Sequence, residues 1–189
     1  DMVTENISNA VSQYSLMTNR IEASDCIMNP KTLDEKQQVV YASYDDWTSG
    51  FFPGSMWYLY QLTGDEKWEK LAVKYTESLD SVQYLTWHHD VGFMGLGQKD
   101  YKSVVLQTAR SLSTRFRSGA GIIQSWDADK GWQAQRGWKC PVIIDNMMNL
   151  ELLFEATRLS GDSTYYNMAV SHADRTLKEH FRSDGSCYH

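Results

Sequence analysis

The chain has 189 residues, of which 42% are hydrophobic and 13% aromatic, and its formal net charge is -6 at neutral pH. This length and composition can bury one hydrophobic core. No basic run exists that could follow a phosphate backbone, so nucleic acid is excluded as an expected partner. No apolar run reaches the length of a transmembrane helix, so we expect no membrane partner either.

The first third of the chain predicts two helices separated by an irregular stretch. Residues 4–20 carry apolar side chains at helical spacing and predict a first helix. Residues 29–38 predict a loop, and residues 39–41 (Val-Val-Tyr) a short strand. Residues 55–62 are apolar or aromatic at nearly every position. This composition predicts a second helix that begins near Pro53 and is buried on all sides.

A repeated pattern starts at three glycines, Gly64, Gly97 and Gly161. Each is followed by an aromatic residue four positions later and by apolar residues seven to nine positions later. The pattern predicts αα-hairpins, in which glycine ends an inner helix and an amphipathic outer helix follows. The 33-residue spacing of the first two copies also fits a tetratricopeptide superhelix, but the longer second spacing and a Trp-rich insert break that period.

That insert, residues 116–141, alternates turn residues with short apolar runs and predicts a surface loop or small hairpin. Long aromatic loops on helical scaffolds are usually functional. Four tryptophans lie in predicted loops, where they can stack on sugar rings or seal the loop against the core. They are Trp47, Trp126, Trp132 and Trp138. A second inner helix over residues 145–159 and an outer helix over residues 163–181 complete the pattern.

Two aspartates, Asp145 and Asp90, are the candidate catalytic residues. Asp145 follows three branched apolar residues and opens a predicted buried helix, so it is placed as an N-cap or first-turn residue. In a closed ring of αα-hairpins the inner helices begin at one rim, so both carboxylates can reach one cavity. Burial would raise the pKa of one carboxyl group while its partner stays ionised, as in carboxylate-pair glycosidases. A plain helix cap is the alternative for Asp145.

A metal site is a second interpretation of the sequence His88-His89-Asp90. The chain has no HExxH motif, and its three cysteines show no CxxC spacing. His172 and His180 lie on a predicted outer helix, where we expect them to face solvent. We therefore expect no metal and no cofactor.

Four motifs resemble the unsaturated glucuronyl hydrolases, glycoside hydrolase family 88, in the order in which that family has them. They are residues 46–54 (Asp-Trp-Thr-Ser-Gly-Phe-Phe-Pro-Gly), 89–93 (His-Asp-Val-Gly-Phe), 144–150 (Ile-Asp-Asn-Met-Met-Asn-Leu) and 184–189 (Asp-Gly-Ser-Cys-Tyr-His). The resemblance implies an all-α (α/α)6 toroid, with residues 1–189 forming the N-terminal part of its single domain, about half of the whole. We therefore expect the sequence to be a piece of a longer chain.

The resemblance also implies an activity and a partner. Such enzymes act on oligosaccharides whose non-reducing end is a 4,5-unsaturated uronic acid, and they begin by hydrating the double bond. Asp145 matches the general acid/base and Asp90 the second catalytic-site aspartate. Trp47, His89 and His189 match pocket residues, and Trp126 and Trp138 are further candidates for contacting the sugar. Bacterial enzymes of this type leave periplasm and cytoplasm both open as the compartment, and oligomeric state is not implied.

Two alternatives stay open. The related family 105, the unsaturated rhamnogalacturonyl hydrolases, shares the fold and the chemistry, although residues 46–54 favour family 88. A helical-repeat binding module without catalysis would use Asp145 only as a cap.

The middle repeat lacks an inner helix, because only three residues separate Phe93 from Gly97. An outer helix starting near Lys99 would leave Tyr101, Val104, Val105 and Leu112 facing a gap. We therefore predict a break in the chain between Phe93 and Gly97.

Overall fold

The computed structural model describes residues 1–23, 27–90 and 102–189, with the side chain of Trp132 outside the description. Helices predominate and the strands are short. The chain divides into two compact units, Asp1–Ser81 and Val82–His189, and each is described by itself. That residues 1–189 belong to one domain stays a prediction.

The first unit contains three helices and one β-hairpin. The helices are α1 (Met2–Glu22), α2 (Phe51–Thr63) and α3 (Glu66–Glu77), and the hairpin pairs β1 (Asn29–Leu33) with β2 (Val39–Ala42) in antiparallel register. The predicted first helix and the short strand are confirmed. The β1 strand was predicted as loop because of Pro30 and its polar neighbours, but a two-stranded sheet has only edge strands, where proline is tolerated.

The predicted αα-hairpin at Gly64 is confirmed in atomic detail. Gly64 has a positive φ of 69°, and its N–H donates to the Tyr60 carbonyl, which ends α2. Only glycine adopts this left-handed conformation without a steric penalty. The Asp65 carboxylate then accepts a hydrogen bond from the Lys67 N–H and caps α3.

The core of the first unit lies between α1, α2 and α3. The Phe52 ring packs edge-on against Tyr75 with centroids 4.9 Å apart, and the Trp57 indole N–H donates to the Thr76 hydroxyl. These contacts join the two helices of the hairpin. The fully buried members of this core are Ile21, Phe52, Met56, Leu59, Trp68, Ala72 and Tyr75.

The prediction that α2 is buried on all sides is wrong for this structure. Phe52, Met56 and Leu59 are buried on one face, whereas Tyr58 is 68% and Leu62 59% exposed. The described neighbours α1 and α3 contact one side of α2 and leave the other open to solvent.

The second unit begins at Val82, within a 3-10 helix that spans Asp80–Tyr84. Its elements in chain order are α4 (Lys102–Ser113), the antiparallel hairpin β3 (Phe116–Arg117) and β4 (Ile122–Ile123), α5 (Gly131–Ala134), a second 3-10 helix (Ile144–Asn149), α6 (Leu150–Ser160) and α7 (Ser163–Glu179). The second αα-hairpin repeats the first, since Gly161 has a φ of 77° and Asp162 caps α7.

The helix α6 is the centre of the second unit, because both α4 and α7 pack against it. Val105 and Leu112 of α4 are buried, so these two side chains do not face the gap that the missing inner helix would have left. Among the described helices, the inner helix α6 thus packs against two outer helices, α4 and α7. The repeat pattern did not reveal this arrangement. The predicted break between Phe93 and Gly97, like Tyr101, lies outside the described residues.

The insert of residues 116–141 forms the predicted hairpin, but its placement on the surface is wrong for its central part. Ile123, Gln124 and Ser125 are buried. They lie against α7 and the residues that precede α6, since the Ile123 N–H donates to His172 and the Ser125 N–H donates to the Pro141 carbonyl. These buried residues bring a polar segment next to the candidate aspartates.

Candidate active site

Asp145 lies in the first turn of the 3-10 helix Ile144–Asn149. The residue before this helix, Ile143, is extended and acts as its N-cap, so the Asp145 side chain does not cap the helix. Of the two predicted positions, the first turn is therefore the correct one. The α-helix itself starts only at Leu150, five residues later than predicted, because the tighter 3-10 winding that is common at helix N-termini comes first.

The carboxylates of Asp90 and Asp145 meet at the imidazole of His89. Nε2 of His89 lies 3.3 Å from Oδ2 of Asp145 and 3.3 Å from Oδ1 of Asp90. The His89 side chain is 1% exposed, that of Asp90 15% and that of Asp145 35%. The imidazole is therefore shielded from solvent, whereas the two carboxylates are partly exposed. Asp145 is the most exposed of the three and so the one that a substrate can reach most easily.

Hydrogen bonding indicates where the protons of His89 are. Its Nδ1 lies 3.2 Å from the Ser125 carbonyl oxygen, which can only accept, so Nδ1 carries a proton. Its Nε2 then faces two carboxylate oxygens, which also only accept when ionised. A hydrogen bond between Nε2 and either oxygen therefore needs a proton on Nε2 or on that carboxyl group.

The same three side chains offer a possible set of metal ligands. One ligand atom from each of His89, Asp90 and Asp145 lies within 4.8 Å of the others. A protonated Nε2 cannot coordinate a cation, so proton and metal compete for this position. The absence of a metal stays an expectation.

The pKa of Asp145 is lowered, in contrast to the expectation that burial would raise it. Burial alone raises this pKa, but the hydrogen bond from His89 and the positive charge of that ring outweigh burial, with a smaller contribution from His189. Asp145 is therefore a carboxylate at neutral pH in this geometry.

Two buried asparagines and a serine form hydrogen bonds next to the turn that carries Asp145. Asn146 donates from its side-chain amide to the Ile123 carbonyl at 2.8 Å and to the Ser125 hydroxyl at 3.0 Å. Asn149 in turn donates to the side-chain oxygen of Asn146 at 3.1 Å. All three residues are fully buried. The sequence did offer a signal for the two asparagines, because Asn146 and Asn149 are polar residues three positions apart in the otherwise apolar start of a predicted helix.

A buried arginine, which the sequence did not single out, joins the segment that precedes His89 to the insert. Arg115 donates to the Thr86 carbonyl at 2.5 Å, to the Gln124 carbonyl at 2.8 Å and to the Asp127 carboxylate at 3.3 Å. Asp127 is also paired with Lys130. Because one guanidinium contacts both segments, it holds His88 and His89 close to Ser125 and Trp126.

A cleft of about 430 Å³ lies beside this group and is open to solvent. Its walls include two indole rings, Trp87 and Trp126, together with His88, Lys130 and Gln133. The Trp126 ring also packs edge-on against His89, with centroids 6.0 Å apart. Indole faces with polar groups beside them suit sugar rings.

Comparison with known proteins relates the chain to a family. An unsaturated glucuronyl hydrolase of Formosa agariphila is 40% identical over 96% of the chain, and one of Bacillus sp. strain GL1 is 35% identical over 85% of it. A crystal structure of an unsaturated glucuronyl hydrolase specific for heparin superposes with a TM-score of 0.85 at 37% identity, over 98% of the chain. The chain is related to the unsaturated glucuronyl hydrolases. No protein-family model matches it.

The chain spans about half the length of these relatives, 48% and 45% of the two curated proteins and 50% of the solved structure. The resemblance seen in the four motifs is confirmed, and so is the fold class, an α/α toroid of which this chain covers about half.

The remaining residues that match unsaturated glucuronyl hydrolase motifs, or that we predicted to contact sugar, lie in different places. Trp47 belongs to the first unit, where its ring packs edge-on against Phe51. Trp138 is partly exposed, and the Arg136 guanidinium lies 4.9 Å from its ring centroid. His189 is exposed in the second unit.

The predicted exposure of the two histidines near the C-terminus is corrected by the structure. His172 is 0% exposed, and its Nδ1 accepts the Ile123 N–H at 3.1 Å. His180 is half-buried and lies 3.3 Å from the Val142 carbonyl oxygen. The face of α7 that carries His172 packs on β4, so a polar residue there is enclosed rather than solvated.

No helix in the described part of the chain is long and apolar enough to cross a lipid bilayer.

Proposed function

We propose that the protein containing this chain removes a 4,5-unsaturated uronic acid from the non-reducing end of glycosaminoglycan oligosaccharides. The observation that carries the proposal is the convergence of Asp145 and Asp90 on His89, with Asp145 accessible to a ligand. The similarity to unsaturated glucuronyl hydrolases over nearly the whole chain supports it.

The reaction we propose is hydration of the C4=C5 double bond of the uronate. This bond is an enol ether, because C5 also carries the ring oxygen. A proton is added to C4, the positive charge that develops at C5 is shared with the ring oxygen, and water adds to C5 with loss of its proton. The resulting hemiketal opens the ring, and the aglycone sugar then leaves with its oxygen from C1. Because the reaction starts at the double bond, the carboxylate-separation rule for retaining and inverting glycosidases does not apply.

Asp145 is assigned as the general acid and base of these steps. Its carboxylate is ionised at rest, and we propose that the proton it must donate comes from Nε2 of His89, which lies 3.3 Å from Oδ2. Transfer from Nε2 to Oδ2 of Asp145 prepares the acid, and the carboxylate left after protonation of C4 accepts the proton of the attacking water. Burial of His89 keeps the stored proton away from solvent.

Asp90 is assigned as the second carboxylate, which positions the substrate and stabilises the charge that develops at C5. It contacts His88 as well as His89, since Oδ2 lies 3.2 Å from Nδ1 of His88. We propose that His89 acts through the two aspartates rather than on the sugar, because its side chain is buried.

The sugar rings are proposed to lie against aromatic side chains. Trp126 is adjacent to His89 and lines the cleft with Trp87, so it can support the ring next to the double bond. Trp138 with Arg136 offers an indole and a cation for an acidic substrate. Trp47 and His189 are proposed as further substrate contacts because they match the family motifs.

The test is an assay of the complete gene product with unsaturated disaccharides prepared by lyases from heparin, chondroitin and rhamnogalacturonan. Hydration removes the conjugation between the double bond and the carboxylate, so turnover appears as loss of ultraviolet absorbance. We expect loss with at least one glycosaminoglycan disaccharide. Turnover of the rhamnogalacturonan product alone would assign the family-105 activity, and no turnover of any substrate would leave the binding-module interpretation.

A further inference from the structure

Asp145, the candidate acid, and His89 come from segments far apart in the sequence. Ser125 forms hydrogen bonds with both segments. The Ser125 carbonyl oxygen accepts from Nδ1 of His89 at 3.2 Å. The Ser125 hydroxyl accepts from the Ile143 N–H at 3.1 Å and from the Asn146 amide at 3.0 Å. Ile143 and Asn146 lie on the two sides of Asp145, so Ser125 is bonded to His89 and to the turn that carries Asp145.

Asn146 makes this connection rigid. Its amide group donates to both Ile123 and Ser125, and its oxygen accepts from Asn149, so its orientation is fixed from three sides. Ser125, Asn146 and Asn149 form what we call the polar bracket, and all three are fully buried. Buried polar groups that are hydrogen-bonded hold their neighbours in one arrangement, and the side-chain polar atoms of Ser125 and Asn146 have such bonds. Oδ1 of Asn149 has no hydrogen-bond partner among the described residues.

We propose that Ser125 and Asn146 are positioning residues that set the separation between His89 and Asp145, and thereby the proton transfer between them. This inference rests on the proposed function. Ser125, Asn146 and Asn149 are each 0% exposed, so they act through His89 and Asp145 and not on the substrate.

The first variant is Ser125→Ala, which removes the hydroxyl but keeps the carbonyl that His89 contacts. Ser111→Ala is its matched control, because Ser111 is also buried, donates to the Gln83 carbonyl at 2.6 Å and accepts from Gln107. Both variants lose a buried hydroxyl of the same size, but only Ser125 is bonded to the turn that carries Asp145.

We expect Ser125→Ala to lower kcat about 10- to 100-fold, since misplacing a reacting group by about 1 Å costs on this order. KM should change less than about threefold, and the pH optimum of kcat should move, because the proton donor is displaced relative to its histidine. Ser111→Ala should keep kcat and its pH optimum even if its melting temperature falls as far. Equal kcat and equal pH profiles in the two variants would overturn the proposal.

A second measurement does not depend on enzymatic activity. In ¹⁵N-histidine-labelled wild-type protein, His89 should show a proton-bearing Nδ1 that exchanges slowly with water, with the signal assigned by its loss in His89→Asn. A pyridine-type Nδ1 would overturn the proposal. Where the variants fold, this exchange should be faster in Ser125→Ala than in Ser111→Ala, and equal exchange would contradict the bracket.

Failure of the proposed function is distinguishable from failure of this inference. If the wild type hydrates no unsaturated disaccharide, the proposed function has failed. The NMR comparison then decides by itself whether the polar bracket holds His89 in place.

Discussion

Nε2 of His89 and Oδ2 of Asp145 lie 3.3 Å apart although the two residues are separated by 56 positions in the chain. The contact lowers the pKa of Asp145 against the effect of burial, which by itself raises it. A general acid that is ionised at rest needs a proton source, and the adjacent imidazole is the source that we propose.

The first prediction concerns Asp145→Asn. The amide keeps the volume of the side chain and its place in the 3-10 turn but cannot carry the transferred proton. We expect kcat to fall by about 10²- to 10⁴-fold, the usual contribution of a general acid/base, with the fold intact by circular dichroism. Asp174→Asn on the exposed face of α7 is the control for loss of one negative charge. Near-normal turnover by Asp145→Asn would show that the acid/base assignment is wrong.

The second prediction concerns substrate capture by Arg136 and Lys139. The chain has a net charge of -6, so the uronate of the proposed substrate would be attracted by local cations rather than by the field of the chain as a whole. We expect Arg136→Gln/Lys139→Gln to raise KM about two- to fivefold at low salt, since exposed ion pairs contribute about 0.2–1 kcal/mol. The effect should diminish at high ionic strength.

The control for that prediction is Arg158→Gln/Lys178→Gln, which removes the same charge from exposed positions on α6 and α7. An identical KM in the two double variants would remove Arg136 and Lys139 from the set of substrate contacts.

The third prediction concerns acid stability. Burial lowers the pKa of His172 to about 4, helped by the charges of His180 and His89. The unfolded chain binds a proton at this residue near pH 6.5 and the folded chain only near pH 4. Stability is therefore complete above pH 6.5 and is lost as pH falls towards 4, by roughly 2–3 kcal/mol.

Chemical denaturation at pH 7 and pH 4.5 of the wild type and His172→Gln measures this effect. The variant should be less stable at pH 7, because the Ile123 N–H loses its partner, but it should lose less stability on acidification. Equal losses in both proteins would mean that His172 does not carry the acid sensitivity.

The fourth prediction concerns Arg115. Its guanidinium is buried and satisfies the carbonyl oxygens of Thr86 and Gln124, so Arg115→Met leaves both acceptors and Asp127 without this donor. We expect a loss of about 2–4 kcal/mol in the free energy of unfolding. Arg110→Met on the exposed face of α4 should change stability by less than about 0.5 kcal/mol. A similar unfolding free energy for the two variants would contradict the structural role of Arg115.

The sequence by itself determined the features that depend on neighbours along the chain. The stops at Gly64 and Gly161 and the caps at Asp65 and Asp162 are local, because a positive φ or an N-cap hydrogen bond involves residues within a few positions. The motifs that identify the family are likewise short runs of sequence. They pointed to Asp90, His89 and Asp145 without any coordinates.

Only the tertiary structure decided burial, partnership and charge. His172 was expected to face solvent and is buried, α4 packs on a helix that already has an outer partner, and Ser125 lies inside an insert predicted to be on the surface. The lowered pKa of Asp145 has the same origin, since its sign depends on an imidazole contributed by a distant segment. Desolvation and electrostatic interaction act through space, so a pattern along the chain does not determine them.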